Sequence, residues 1–581
     1  MKKFLLLLLI FAVTLAHADN SKISPDLQSY PSTQKAQVIV QYAPGTQVTC
    51  SGLLGLVDCV VNDVLKLGGS ILSALPVVNG LVAVLDGNGI VNLSNQSNVV
   101  YISLDRPLTP TLSNAAPAIN AFAAWQSGYT GNGVGVALID SGVSSHPDLN
   151  GGFLGSSRVV WNQSFVPGNA SANDQFGHGT HIAGLIAGDG ASSTGAQYSK
   201  TFEGIAPQAN LVNLRVLDQN GVGTDSAVIA AINQAIALKP YFNIRVINLS
   251  MGRPVYESYK LDPLCHAVEA AWKSGIVVVV AAGNNGRYQP TNGYGTITSP
   301  GNDPYVITVG AMKPMGTPTH VDDLIASYSS KGPTALDAIA KPDLVAPGNL
   351  LVSLEAPGST LYTSYPSNQV PYSFYVNGGS TSPSSKYFTL SGTSMATGVV
   401  SGVVADLLQK SPYLNPDQVK ARLMKTAWKS LPAYSSTTDP TTGITYTDQY
   451  DVFTVGAGYV DVEAALANTD LAKGTAMSPV ASFNGTSDSV NLNASSSSVW
   501  NTSASWSYSQ VWGTSQFVTG TSQSSSSGST SGSQTSASNA MWGSNAMWGS
   551  NAMWGSNAMW GSNAMWGSNA MWGSNFAAGE Q

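Results

Sequence analysis

The chain of 581 residues contains few charged side chains. Only 10% of its residues are Asp, Glu, Lys or Arg, whereas soluble domains usually carry about 25%. The formal net charge is −7, and the sequence has no run of basic residues. Because nucleic acids and anionic membranes attract basic surfaces, this composition argues against either of them as the main partner.

Cysteine is also scarce, with three residues in the whole chain. Cys50 and Cys59 lie close together in the sequence, and export would permit a disulfide bond between them. Cys265 stands alone in the helical pattern LDPLCHAVEAAWKSG, which favours a small buried apolar residue over a nucleophile. Three cysteines are too few for a disulfide framework, and their spacing fits no metal site.

Long hydrophobic runs are missing beyond the first residues. The N-terminus reads MKKFLLLLLIFAVTLAHADN, in which two lysines and an apolar stretch precede the small-residue pattern Ala16-His17-Ala18. This layout predicts a secretory signal peptide over residues 1–18, since the apolar part is too short to span a bilayer. No later segment offers 18 uninterrupted apolar residues. We therefore expect an exported, soluble, extracellular protein with no transmembrane segment.

Three short blocks rich in small residues occur in a fixed order: LIDSG at 138–142, HGTH at 178–181 and SGTSMA at 391–396. A serine hydroxyl is a weak nucleophile near neutral pH, so it needs a neighbouring base and a third group that orients that base. The blocks supply one candidate each, namely Asp140, His178 and Ser394.

The order Asp, His, Ser and the residues around each member resemble the subtilase family of serine proteases. The resemblance covers roughly residues 115–472 and includes AAGNNG at 281–286. An α/β-hydrolase would instead show Gly-x-Ser-x-Gly and the order Ser, Asp, His, whereas position 396 is Ala. A sedolisin-type peptidase would carry Glu and Asp where this chain has His178 and Asn284.

The resemblance implies a role for each matching residue. Ser394 would be the nucleophile, His178 the general base, and Asp140 the group that orients the imidazole. Asn284 would bind the developing oxyanion together with the backbone N–H of Ser394. His181 is a rival base, but His178 matches the family position, and the spacing of the two histidines is not that of a zinc protease.

Two segments, NGVGTD at 220–225 and LSMGRP at 249–254, resemble the strands that flank a peptide substrate in this family. With the segment before the oxyanion block, they give the predicted substrate-binding residues Gly221, Val222, Gly223, Ser250, Met251, Gly252, Ala282 and Gly283. The glycines leave room for an added strand of substrate. No acid occurs in SMG or AAGN, so we expect apolar or aromatic residues, not Lys or Arg, before the cleaved bond.

Apolar runs with little alternation recur at 133–140, 210–218, 245–251, 275–284 and 305–312. Helical patterns separate them, which predicts an α/β fold with a mostly parallel sheet and helices on both faces. The resemblance implies that residues 113–472 form a subtilisin-like catalytic domain. Because parallel sheets place their sites at the carboxyl ends of strands, Asp140 and Asn284 are well placed for chemistry.

Residues 19–112 read as a small α+β domain, with strands at 37–44, 80–87 and 98–106 and a helix at 57–68. Its place before a protease domain resembles a subtilase propeptide, which implies an intramolecular inhibitor that is cut off near residues 106–115. A small α/β domain that the mature protein retains is the alternative.

Residues 473–581 differ from the rest in composition. No Lys, Arg or His follows Lys473, and six copies of Asn-Ala-Met-Trp-Gly-Ser occupy residues 539–574. One interpretation is a low-complexity tail without fixed structure. The other is an extended repeat whose tryptophans share one face and bind a surface. In both cases we expect the tail to be dispensable for chemistry, and a chain truncated near residue 475 to fold.

Three departures from the family pattern remain. Gly398 stands where the family usually has a proline, and residues 355–387 form an insertion that could wall the cleft. The loop at 188–204 is long where a calcium loop often lies. Asp148 matches a calcium ligand of the family, but the sequence identifies no ligands in the loop, so the metal ligands are undetermined. The resemblance requires no cofactor for the chemistry itself.

The sequence therefore predicts a secreted serine endopeptidase, extracellular or attached to the cell surface, that acts on proteins or peptides. Its own propeptide would be its first partner and inhibitor. The alternative is a catalytically inactive surface-binding protein on a subtilase scaffold. An inactive scaffold would usually have lost at least one of the four residues, and all four are present.

Overall fold

The structure is a computed structural model. It describes residues 20–24, 27–28, 30–43, 45–46, 61–75, 79–104, 115–152, 155–317, 319–439, 442–484, 489–501, 504–512 and 580. The predicted signal peptide, the pair Cys50 and Cys59, the propeptide cleavage region before residue 115 and the six repeats lie outside these residues. The chain divides into two compact units, Met1–Thr109 and Pro110–Gln581.

The first unit is a four-stranded antiparallel sheet with two helices. In chain order its elements are β1 (Lys35–Tyr42), α1 (Val61–Lys66), β2 (Ser70–Leu75), β3 (Gly80–Asp86), α2 (Gly87–Ser94) and β4 (Val99–Leu104). The strand order β2-β3-β1-β4 with this sequence of elements is the split βαβ, or ferredoxin-like, arrangement.

Three strands and the first helix of this unit lie within a few residues of their predicted positions, whereas β2 and α2 were not predicted. The helix α2 has the sequence GNGIVNLS, whose two glycines and lack of charge disguise it. It forms because the Asp86 side chain accepts a hydrogen bond from the N–H of Gly89, and because Ile90 and Leu93 are buried.

The second unit is built on an eight-stranded sheet. Its strands are β5 (Gly135–Asp140), β6 (Val159–Ser164), β7 (Asn210–Arg215), β8 (Ile244–Leu249), β9 (Val277–Ala281), β10 (Ile307–Lys313), β11 (Leu324–Ile325) and β12 (Leu344–Pro347). The order is β11-β10-β9-β8-β5-β7-β6, and β12 also pairs with β10. All pairings are parallel except that of β10 with β11. The predicted α/β class with a mostly parallel sheet is confirmed.

The second unit also has helices, some of which pack against this sheet or connect its strands. They are α3 (Ala115–Ala118), α4 (Ala121–Gln126), α5 (His178–Ala187), α6 (Asp225–Phe242), α7 (Pro263–Lys273), α8 (Thr360–Ser364), α9 (Thr393–Lys410), α10 (Pro416–Thr426), α11 (Val462–Ala467) and α12 (Tyr508–Trp512). In the described part of the chain, none of the helices has both the length and the apolar character needed to cross a membrane.

Smaller elements surround the main sheet. The strands β13 (Leu351–Leu354), β14 (Gln369–Pro371) and β15 (Pro383–Leu390) form a three-stranded sheet. Two hairpins follow: β16 (Tyr434–Thr438) with β17 (Thr445–Gln449), and β18 (Val480–Asn484) with β19 (Ser489–Asn493). Short 3₁₀ helices occupy Asn20–Lys22, Pro147–Leu149, Gln289–Thr291, Pro366–Asn368, Tyr372–Phe374, Val499–Asn501 and Ala504–Trp506.

The beginning of the segment that composition assigned to the tail packs on the second unit. Trp500 and Trp512 are almost fully buried in a cluster that includes Met424 of α10 and Phe453. The Ser478 hydroxyl donates at 2.5 Å to Asp343, a buried carboxylate that also pairs with Lys341 and Lys420. A chain ending near residue 475 would lose these contacts, so the apolar packing extends beyond the predicted boundary at 473.

A buried carboxyl group gives this fold a testable dependence on pH. Glu355, directly after β13, is 1% exposed, and neither of its carboxyl oxygens has a hydrogen-bond partner. Burial raises the pKa of Glu355 from its ordinary 4.5 to about 8. Between these two values the folded chain keeps a proton that the unfolded chain releases. The contribution of Glu355 to stability is therefore fully present below about pH 4.5 and is lost as the pH rises towards about 8.

The variant Glu355→Gln keeps the shape of the side chain and removes the titration. We expect its free energy of unfolding to exceed that of the parent by a margin that grows with pH. The growth reaches at most roughly 1.4 kcal/mol per pH unit inside that window. Denaturant unfolding at several pH values between about 5 and 8 measures the margin. The control is Glu463→Gln, at an exposed position of α11. A margin for Glu355→Gln that does not change with pH would contradict the prediction.

Candidate active site

Asp140 and His178 form a buried hydrogen-bonded pair. The strand β5 is buried along its whole length and ends at Asp140, while α5 begins at His178. Both side chains are 0% exposed, and 2.7 Å separates His178 Nδ1 from Asp140 Oδ1. An Nδ1 that faces a carboxylate carries the proton, which leaves Nε2 as the basic nitrogen. The pair is therefore an imidazole held in one tautomer by an acid.

A network around Asp174 holds the first turn of α5 in place. Asp174 is 3% exposed, and it accepts hydrogen bonds from the N–H groups of Phe176, Gly177 and Thr180 and from the hydroxyls of Thr180 and Ser141. Ser141 follows Asp140 directly, so this network joins the end of β5 to the start of α5. Burial raises the pKa of Asp174. Sequence reasoning missed Asp174 because it lies three residues before the N-cap, Gly177, and so gives no ordinary helix-start signal.

Arg215 also holds the loop that precedes His178. This residue ends β7, and its guanidinium donates to the carbonyls of Ser171 and Asn173 at 2.9 and 3.1 Å and to the Gln175 side chain at 2.8 Å. Gly177, the N-cap directly before α5, has φ +108°. Because that value is strained for residues with a Cβ, the glycine is required at this turn.

His181, the rival base, has a structural environment. Its ring is 0% exposed, and Nε2 lies 3.0 and 3.1 Å from the carbonyl oxygens of Leu351 and Phe388. Burial and the nearby His178 lower the pKa of His181 to about 3. A neutral ring that donates to backbone carbonyls links α5 to the three-stranded sheet, and it is not the histidine that contacts Asp140.

Ser394 is the second residue of α9 and is 2% exposed. Its hydroxyl donates to the carbonyl oxygen of Ser250 at 2.9 Å, and the Ser250 hydroxyl donates to the carbonyl oxygen of Ser394 at 2.9 Å. Asn248 of β8 in turn donates to the Ser250 hydroxyl. The predicted substrate residue Ser250 is thus buried, and both its side chain and its carbonyl contact the serine.

The helices that begin with His178 and Thr393 pack side by side. A Cβ atom at Gly398 would lie 3.3 Å from Ile182 Cγ2 and 3.5 Å from Leu185 Cβ. Gly398 and Ile182 each lie one helical turn beyond Ser394 and His178, respectively. The glycine that replaces the usual proline therefore sits at the close crossing of these two helices.

Asn284 is held against the start of α9. Its Oδ1 accepts hydrogen bonds from the N–H and the hydroxyl of Thr393, at 2.9 and 3.0 Å. These bonds fix the amide, so its Nδ2 faces Gly392, where a Cβ would lie 3.3 Å away. Asn284 is only half-buried. The structure therefore brings an oriented amide donor to the residues around Ser394.

Comparison with known proteins agrees with this geometry. Residues 131–458 match the model of the Subtilase family. The chain belongs to the subtilase family of serine proteases. It is 40% identical over 338 residues to "Serine protease AprX" of Bacillus subtilis (strain 168), which covers 57% of this chain and 70% of that protein. It is 33% identical over 427 residues to Subtilisin E of the same organism, which covers 72% of this chain and 92% of that protein.

Three predicted substrate residues of this subtilase surround one further side chain, Thr298. A Cβ at Gly252 would lie 2.4 Å from Thr298 Oγ1, and one at Gly283 would lie 2.9 Å from Thr298 Cγ2. The N–H of Thr298 donates to the carbonyl oxygen of Ala282 at 3.0 Å. Both glycines are therefore required by close packing against Thr298, which sequence reasoning missed because it lies outside the recognised blocks. Met251, beside Gly252, is buried.

A buried acid, Asp262, accepts a hydrogen bond from Ser299, the residue after Thr298, but its charge is already paired with Arg253. Asp262 Oδ1 accepts from the Arg253 guanidinium at 2.8 Å, and Oδ2 accepts from the Ser299 hydroxyl at 2.7 Å. Asp262 is 0% exposed. Cys265, also buried, lies 3.9 Å from the same hydroxyl, and burial raises the pKa of its thiol. Asp262 therefore offers no unpaired charge to a substrate.

The predicted substrate segment at Gly221, Val222 and Gly223 lies beside the insertion at 355–387. Val222 is 59% exposed, whereas Gly221 is buried against the ring of Phe176. At the start of α8, the N–H of Thr360 donates to the backbone carbonyl of Gln175 at 3.0 Å. The N–H of Leu361 donates to the backbone carbonyl of Phe176 at 2.9 Å. The insertion thus contacts the loop that leads to His178.

The residues around Asp148 do not fit a calcium ion. Asp148 Oδ1 accepts from the N–H of Ser192 at 2.8 Å, and Oδ2 accepts from the hydroxyl of Tyr387 at 2.7 Å. The buried guanidinium of Arg158 donates to the carbonyls of Asp148 and Ala187. Protein donors therefore use the carboxylate oxygens, and Arg158 supplies the positive charge. Elsewhere in the described part of the chain, no three His, Cys, Asp or Glu side chains cluster as metal ligands would.

The Asp174 network predicts the effect of a single change. In Asp174→Asn, one carboxylate oxygen becomes an NH₂ group that faces N–H or O–H donors. We expect the free energy of unfolding to fall by about 1–3 kcal/mol, because buried donors lose their acceptor. Denaturant unfolding measures this loss. The matched control is Asp322→Asn, which changes an exposed carboxylate and should stay within about 0.5 kcal/mol of the parent. Equal losses in both variants would contradict the assigned role.

Proposed function

We propose that this subtilase is a secreted endopeptidase that hydrolyses peptide bonds through Asp140, His178 and Ser394. The observation that carries the proposal is the buried 2.7 Å contact between Asp140 and His178, at the start of a helix packed beside the one that bears Ser394. No observation favours the inactive alternative, since the acid, base, nucleophile and amide donor are all present.

The reaction begins when Ser394 Oγ attacks the carbonyl carbon of the substrate. In the structure the Ser394 hydroxyl donates to the carbonyl oxygen of Ser250, so it must turn towards His178 before the attack. His178 Nε2 takes the proton as the carbon–oxygen bond forms, and Asp140 stabilises the imidazolium through Nδ1. The imidazolium then protonates the leaving amine, and a water molecule repeats the sequence on the acyl-enzyme. The chemistry uses side chains and water, without a cofactor.

Negative charge develops on the carbonyl oxygen during the attack. The N–H of Ser394 lies in the first turn of α9, where N–H groups have no acceptor within the helix. The Nδ2 of Asn284 is the second donor, because Thr393 holds the opposite side of that amide. Donors that are already oriented stabilise the oxyanion without reorganisation at the moment of reaction.

The substrate binds as an added strand between residues 221–223 and 250–252. Its backbone supplies most of the affinity, and its side chains supply the selectivity. The side chain before the cleaved bond enters the pocket near Gly252, Gly283 and Thr298. Because Asp262 is already paired, we expect this pocket to favour apolar and aromatic side chains.

The first unit acts as the propeptide and intramolecular inhibitor of the protease. Two features support this assignment. The first unit has a small ferredoxin-like fold and precedes the protease domain in the sequence, and residues 1–18 read as an export signal. Self-cleavage in the region of residues 106–115 then releases the mature enzyme outside the cell. The repeats attach it to the cell surface or to an insoluble substrate.

Removal of the nucleophile or the base should abolish activity. We expect Ser394→Ala and His178→Ala to lower kcat/KM on a soluble peptide by about 10⁶-fold, the scale known for such changes in a subtilisin. Asn284→Ala should cost about 10²–10³-fold, again as in a subtilisin, because one oxyanion donor remains. N-terminal sequencing of the Ser394→Ala chain should find the propeptide still attached.

The matched control is His266→Ala, which removes an exposed histidine in α7 and should leave kcat/KM unchanged. A Ser394→Ala chain that cleaves as fast as the parent would overturn the catalytic assignment. A mature N-terminus that does not depend on Ser394 would overturn self-processing alone.

Selectivity is tested by placing an acid in the pocket. In a peptide library the parent should prefer apolar or aromatic residues before the cut over Lys and Arg by about tenfold or more, because a buried unpaired cation is costly. Thr298→Asp should raise the relative rate for Lys and Arg, and the neutral Thr298→Asn should not. A parent profile dominated by Lys or Arg would refute the assigned pocket.

A further inference from the structure

Glu580, the penultimate residue, is buried in the second unit. It is the sole acidic residue after Asp488, in a segment otherwise made mostly of Ser, Gly, Asn, Ala and Trp. Its side chain is 0% exposed. An ionised carboxylate is buried only where charge and hydrogen bonds compensate the lost water, so its surroundings show what the site recognises.

Several donors converge on one oxygen of the Glu580 carboxylate. Oε1 accepts from the Arg287 guanidinium at 2.7 Å, from the N–H of Ser327 at 2.9 Å, and from the hydroxyl of Ser327. Arg287 itself is held by Asp439 at 2.9 Å and donates to the Ser327 hydroxyl at 2.7 Å. The guanidinium is therefore fixed by groups other than Glu580 and is already aimed at the carboxylate.

The peptide backbone of Glu580 is recognised as well. The side-chain amide of Asn349 donates from Nδ2 to the carbonyl oxygen of Glu580 at 2.7 Å, and its Oδ1 accepts from the N–H of Glu580 at 2.8 Å. Asn349 is 3% exposed. One asparagine thus pairs with both polar groups of a single residue, as a neighbouring strand would.

These contacts select their occupant. A free carboxylate or phosphate would satisfy Arg287 and Ser327 but would leave Asn349 without a peptide group to bind. A glutamine in a peptide would satisfy Asn349 but would bring an uncharged amide, and not a second carboxylate, to Arg287. The arrangement therefore fits a glutamate within a peptide.

The site is attached to the loops of the candidate active site. Gly348, before Asn349, accepts from the N–H of Gly392 at 2.7 Å, and Leu350, after it, donates its N–H to the Ser391 hydroxyl at 2.8 Å. Arg287 lies three residues after Asn284. The glutamate is thus bound next to the segments that carry both Asn284 and Ser394.

We propose that Arg287, Ser327 and Asn349 form a binding site for a glutamate within a peptide chain, filled in cis by Glu580. The proposal goes beyond the proteolytic function and does not rest on it. Its consequence is that described contacts to the second unit occur on both sides of the repeats in the sequence, at Trp512 and at Glu580.

The N–H of Ser327 reports directly on occupancy. In the full chain carrying Ser394→Ala to prevent self-digestion, hydrogen–deuterium exchange at Ser327 is compared with and without Glu580→Ala. We expect exchange to accelerate by about tenfold or more once the acceptor is lost. Amides of β9 serve as the internal reference for an intact fold, and Asp488→Ala, which removes the other acid of the segment, is the matched control.

Rescue by a peptide tests recognition. The peptide NFAAGEQ, which repeats residues 575–581, should slow the exchange of Ser327 in the Glu580→Ala chain. The peptide NFAAGQQ should not. Glu580→Gln gives a second variant, which keeps the size of the side chain and should also accelerate the exchange, because it removes the charge that faces Arg287. Unchanged Ser327 exchange in both Glu580 variants, or equal protection by the two peptides, would overturn the proposal.

Discussion

The hydrogen bond between Asp140 and His178 is the contact on which the arrangement of the protease unit depends. Both groups are fully buried, so water cannot replace either partner if they move apart. The end of β5 and the start of α5 must therefore meet within hydrogen-bond distance. The hydrogen bonds of Asp174 to both segments, and of Arg215 to the loop between them, meet that requirement.

The same constraint on buried charge organises other parts of the second unit. Asp343 is held by Lys341, Lys420 and the hydroxyl of Ser478, and Glu580 is held by Arg287. Ser478 and Glu580 both belong to the segment with the fewest charges in the chain. A polar, uncharged composition thus did not prevent parts of this segment from completing buried networks of the protease unit.

Close approach of backbone is the second theme of the site. Gly252 and Gly283 lie against Thr298, and Gly398 lies at the crossing of α5 and α9. In each case a missing side chain allows two segments to approach one another. Substitutions at these positions would act through packing, even though none of these glycines supplies a reacting atom.

The sequence by itself determined the fold class, the order of the Asp, His and Ser blocks and the family. Uninterrupted apolar runs and blocks such as HGTH and SGTSMA are local signals, readable without a structure. The resemblance favoured His178 over His181, but only the tertiary structure decided that His178 contacts Asp140, and that Asp174, Arg215 and Thr298 support the site. It also showed that Arg158 lies where calcium was an open alternative, and that Glu580 is buried. These outcomes depend on which buried polar groups find partners far away in the chain, and no local pattern records such pairings.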